Sequence, residues 1–157
     1  MFSMKNFNLT KLSLLCMSTL IFTSCDSDDD ATPDFEGETI EYVLQPVGEV
    51  TVDGTVTFSE NENGSTTIEV VMEGTEEGAT YSPRLLRGSA SEAGELAVTL
   101  EDIEEGKSTT NLTKLEDDSE VSFEDLKEMD GHIAIYLVAE EDETPVATAN
   151  IGANAEE

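Results

Sequence analysis

From Val50 to Ser59 every even position is apolar or glycine and every odd position is polar. A period of two places alternate side chains on opposite faces, so this stretch predicts a half-buried antiparallel strand, bent at Gly54. Ile68, Val70 and Met72 alternate with polar neighbours in the same way. Asn63-Gly64 lies between the two runs and signals a hairpin, with a connection from Glu60 to Gly64 that is longer than the two-residue minimum. Further strands are expected at Thr39–Gln45, Thr80–Arg87, Glu95–Leu100, Ser108–Leu115, His132–Ala139 and Val146–Ile151. Both faces of His132–Ala139 are apolar, which predicts a central strand covered on both sides. Phe123–Met129 breaks the pattern. Ser122 stands at the N-cap of a short helix, Asp125 at the capping-box offset, and Leu126 and Met129 face the core. About eight short strands with one helical insert predict an all-β fold, an antiparallel β-sandwich.

The N-terminus follows a different pattern. Leu12 to Phe22 is an apolar run of 11 residues, preceded by Lys5 and Lys11 and followed by Thr23, Ser24 and Cys25. The run is too short to cross a bilayer and has the length and flanking charge of a signal-peptide h-region. Phe22-Thr23-Ser24-Cys25 resembles a bacterial lipobox, with Phe22 where leucine is commonest, so Cys25 is the expected lipidation site. One acyl chain binds membranes only marginally, whereas a multiply acylated cysteine anchors firmly. The next residues, Asp26-Ser27-Asp28-Asp29-Asp30, form an acidic spacer that an anionic membrane repels. This run looks like the export tag of lipoproteins displayed on the outer membrane of Gram-negative bacteria, the expected location. The domain plan is a lipoprotein signal peptide (1–24, a signal-peptide helix), an acidic flexible tether (25–38), a folded domain (39–152) and a disordered tail (153–157).

Charge and cysteine content narrow the function. The chain carries a net charge of -29, and removal of residues 1–24 takes two lysines and no acids. The remaining 5 basic and 36 acidic residues give -31, which excludes nucleic acid as a partner. Cys16 leaves with the signal and Cys25 takes the lipid, so no disulfide can form within the domain. Transition-metal sites draw on clustered imidazoles and thiolates, yet His132 is the only histidine and opens an apolar strand, where a structural role is expected. No metal site and no cofactor are implied. No serine sits in a Gly-x-Ser-x-Gly elbow. The acidic pairs Glu76-Glu77, Glu104-Glu105 and Glu140-Glu141 fall in turn-like segments, where solvated carboxylates are poor general acids. A non-enzymatic protein is expected. Arg84 and Arg87 are the only arginines and stand beside Tyr81 and Pro83. A local positive spot with an aromatic neighbour suits an anion or a sugar.

The segment Tyr81 to Leu100, with its Tyr81-Ser82-Pro83-Arg84-Leu85-Leu86-Arg87-Gly88 opening, resembles the middle of CHRD domains. This module is named after chordin and is common in bacterial surface lipoproteins. Gly54-Thr55-Val56-Thr57-Phe58 is similar to the family's first long strand. Asp130 to Leu137 followed by Val146 to Gly152 is similar to its last hairpin, so the resemblance spans most of residues 40–152. It implies an immunoglobulin-like or superoxide-dismutase-like sandwich and a surface module. Family members carry His-x-x-His-x-His in the middle segment and a further histidine in the last hairpin. Tyr81, Arg84, Leu86 and Tyr136 occupy those positions here, and His132 stands where the family has tyrosine. The resemblance therefore transfers no metal role and no activity.

The expectation is a lipid-anchored, surface-exposed module that binds an unknown protein or glycan or serves a structural role. Tyr81, Arg84, Arg87 and Tyr136 form its candidate ligand patch. Two alternatives are a metal-binding or metal-dependent superoxide-dismutase-like protein and a calcium-stabilised adhesion module. Replacing Cys25 with alanine is expected to shift the protein from the membrane fraction to the soluble fraction, followed by fractionation and immunoblot; unchanged partitioning would contradict the anchor.

Overall fold

The computed structural model describes residues 35–49, 51–92, 94–138 and 144–155. The expected signal-peptide helix, the expected lipid acceptor Cys25, the acidic run 26–30 and Glu140-Glu141 lie outside the described residues. Phe35–Glu157 forms one compact unit. Its elements are β1 (Thr39–Pro46), β2 (Asp53–Glu60), β3 (Thr66–Glu73), β4 (Tyr81–Arg87), β5 (Leu96–Thr99), β6 (Lys107–Leu112), α1 (Phe123–Glu128), β7 (Asp130–Leu137) and β8 (Ala147–Gly152).

All eight strands join one curled antiparallel sheet in the order β5-β4-β7-β8-β1-β2-β3-β6. The hinge of the curl is β1. Thr39 to Leu44 pairs with β2, and Gln45 and Pro46 pair with Thr148 and Ala147 of β8. The alternation of the sequence becomes the concave face: Val56 and Phe58 of β2 stand opposite Val70 and Ile68 of β3, and all four are fully buried. Tyr42 meets Phe58 edge-to-face at 5.3 Å between ring centroids, and its hydroxyl accepts a hydrogen bond from the Gly152 N–H at 3.3 Å. From the other half of the sheet, Leu85, Ile133 and Ala149 stand in one cross-strand row of this interior. Thr66 of β3 and Ser108 of β6 also point inward, and their hydroxyls are buried without a hydrogen-bond partner. A lone buried hydroxyl costs ~1–3 kcal/mol, so apolar burial carries this region.

Local chemistry sets the ends of these elements. In the β2–β3 hairpin, the Asn63 side chain accepts from the Ser65 N–H at 3.1 Å and its hydroxyl at 2.7 Å. Gly64 takes the left-handed φ of 80° that the turn requires. Loop backbone adds further pairing along β4 and β5. Ile103 and Tyr81 exchange backbone bonds at 2.7 and 3.2 Å, and the Glu116 N–H donates to the Ala97 carbonyl at 2.8 Å.

Helix α1 starts at the expected cap. The Ser122 hydroxyl accepts from the Asp125 N–H at 3.2 Å, and the Asp125 carboxylate accepts from the Ser122 N–H at 2.9 Å. Phe123 and Leu126 bury their side chains in the interior, where α1 packs against β8 and β2. Hydrogen bonds from the Ser122 hydroxyl and then its N–H hold the Asp125 carboxyl below the usual value of 3.8. Ser122→Ala is expected to lower stability by about 1 kcal/mol at neutral pH, read from the urea midpoint. Because the folded carboxyl titrates at lower pH than the unfolded one, its contribution is complete above the ordinary value and fades as pH falls through the folded value. The stability gap between wild type and Asp125→Asn should therefore close on acidification.

Candidate functional site: a roofed cavity on the convex face

Cross-strand register puts two rows on the convex side of the β5-β4-β7-β8 half. Arg84, Ala134 and Thr148 form one row, and Leu86, His132 and Asn150 form the next, with Leu96 of β5 beside Leu86. The outer face of an antiparallel sheet ordinarily meets water. Here His132 is only 4% exposed and Ala134 only 1%. Over His132 the cover is the loop that follows β4.

Three hydrogen bonds fasten that loop. The Gly88 N–H donates to the Asp130 carbonyl at 2.9 Å, the Ala90 N–H to the Asn150 side-chain oxygen at 2.8 Å, and His132 Nδ1 lies 2.7 Å from the Gly88 carbonyl. The loop then returns to the sheet through an Arg87 N–H to Glu95 carbonyl bond of 2.9 Å. Gly94 makes the return possible: a Cβ there would strike the Arg87 carbonyl and sit 3.0 Å from the His132 ring.

Between roof and sheet lies a cavity of about 430 Å³, lined by Arg84, Leu86, Glu92, Leu96, His132, Ala134, Tyr136 and Thr148 among others. The Arg84 guanidinium carbon lies 4.4 Å from the centre of the Tyr136 ring. Such a cation–π contact is worth roughly 0.5–1 kcal/mol at a partly open site, and it holds both side chains in one wall. The partner of His132 Nδ1 is a carbonyl, which only accepts, so Nδ1 carries the hydrogen. In the neutral ring Nε2 is then an acceptor, and the described residues give it no hydrogen bond.

Two members of the expected patch, Arg84 and Tyr136, come together in this wall. The other two do not. Tyr81 has the parity of Pro83 and Leu85 along β4, so it points into the concave core, 3% exposed, and its hydroxyl accepts from the Glu76 N–H at 3.1 Å. Arg87 ends β4 on that same parity, opposite Gly131, and is exposed outside the cavity. Nearness in sequence had grouped them, whereas the strand period separates them. Leu86, Glu92, Leu96, Ala134 and Thr148 were not anticipated as lining residues. The doubly apolar β7 was the available signal, because a covered outer face requires something to cover it.

The acidic turns gather elsewhere, with Glu76, Glu77, Glu104 and Glu105 bordering an open hollow. Among the described residues no three His, Cys, Asp or Glu side chains are grouped closely enough to hold a metal ion. No protein-family model, curated protein or solved structure matches the chain. Asn150→Ala removes the acceptor that pins the roof at Ala90, and the Ala90 amide is expected to exchange with solvent at least tenfold faster by hydrogen-exchange NMR, with little change at Ile133.

Proposed function

We propose that the protein is a lipid-anchored, non-enzymatic binding module displayed on the outer membrane through Cys25. The observation that carries the binding reading is the roofed cavity, where a buried histidine, an aromatic–arginine wall and an apolar floor converge in a volume typical of small-ligand sites. The sequence before Cys25 supports the anchor, and the charge of the chain supports a solvated life away from anionic surfaces. In this reading the curled sheet is a β-sandwich of the immunoglobulin or superoxide-dismutase kind, its halves β1-β2-β3-β6 and β5-β4-β7-β8 facing each other across the core. The resemblance to CHRD domains belongs to the same proposal: three of the positions where that family carries histidine, Arg84, Leu86 and Tyr136, line this one cavity.

Expression of the full chain in a Gram-negative host tests the reading. Protease added to intact cells is expected to remove the domain, and mass analysis of the N-terminal peptide should show Cys25 carrying acyl chains. A mature chain that begins elsewhere without acyl mass, or that resists protease until cells are broken, would overturn the display reading. In a thermal-shift screen, ligands of this site should raise the melting temperature of the wild type and not of Ala134→Phe, which fills the cavity floor.

A further inference from the structure

We infer that the cavity takes an uncharged saccharide, with one ligand hydroxyl donating to His132 Nε2. This deepens the reading above and rests on the cavity being a binding site. The hydrogen-bonding groups at the wall are asymmetric. The Gly88 carbonyl consumes the hydrogen on Nδ1, so the neutral imidazole offers the cavity an acceptor. Glu92 on the roof is a second acceptor. Thr148 can donate or accept, and the Arg84 guanidinium, laid against Tyr136, only donates. A ligand that matches this set presents both donors and acceptors. Vicinal hydroxyls of a sugar do so.

The remaining surface and the charge agree with that choice. Leu86, Leu96 and Ala134 offer an apolar floor that suits the C–H face of a pyranose ring. A free anion would have to approach a chain of net charge -29 and pass Glu92. An organic cation would find the Tyr136 ring already covered by the Arg84 guanidinium. A neutral polyol incurs neither penalty.

The full chain, solubilised in detergent, is titrated by ligand-observed NMR with neutral disaccharides of the lactose and maltose type, with choline, and with inorganic phosphate. Neutral disaccharide binding by the wild type is expected, lost in Ala134→Phe and weakened about tenfold in Glu92→Gln, equal to about 1.4 kcal/mol. Glu92 is exposed, so that variant keeps the test open should a cavity-filling variant fail to fold. Choline or phosphate binding that Ala134→Phe abolishes would overturn the saccharide inference and leave the binding site standing. Disaccharide binding that neither variant alters would overturn the assignment to this cavity. Binding of none of the three by the wild type overturns the saccharide inference, and silence in the thermal-shift screen as well overturns the binding reading beneath it.

Discussion

A domain without a single thiol and with acids spread over its whole surface has one means of holding itself together, the enclosure of its apolar face. Enclosure here depends on the two-sided pairing of β1. Up to Leu44 the strand belongs with β2, and from Gln45 it belongs with β8. Because one strand serves both neighbours, the sheet curls and brings Phe58 and Ile68 into the same interior as Leu85 and Ile133. Two partnerless hydroxyls, Thr66 and Ser108, are tolerated there, which shows how far burial of the surrounding Val, Ile and Leu side chains outweighs local polar penalties.

The curl has a consequence on the opposite side. Once β7 lies within the sheet and its inward row is given to the core, its outward row of His132 and Ala134 must be covered by something other than a strand. The loop after β4 does this at His132 with small residues that can lie close to a sheet. The hydrogen bond from His132 to the Gly88 carbonyl both fastens the cover and decides which imidazole nitrogen carries the hydrogen, in a ring that lines the cavity. Structure and candidate chemistry thus share one interaction. A histidine whose role looks purely structural on its Nδ1 side is chemically available on its Nε2 side.

Much of this was legible in the residues. Strict alternation in Val50–Ser59 and at Ile68, Val70 and Met72 gave β2 and β3, and Ser122 with Asp125 gave the start of α1, because both signals are local. Strand order was not legible, since pairing between distant segments leaves no trace in either one alone. Doubly apolar β7 announced a central, covered strand but not the identity of its cover. The candidate patch fared half and half. Arg84 and Tyr136 meet, while Tyr81 would have been assigned to the core had the period of two been carried through β4, where Tyr81, Pro83 and Leu85 share a face.

The central claim is that the roof of the convex face dictates the chemistry of His132. Long-range nitrogen–proton correlation NMR on the ring, recorded at alkaline pH where an imidazole is neutral, reads it directly. The account predicts a hydrogen on Nδ1 and a bare Nε2. The opposite tautomer, or rapid exchange between the two, would mean that the Gly88 carbonyl does not hold the ring and that the cavity lacks the acceptor ascribed to it.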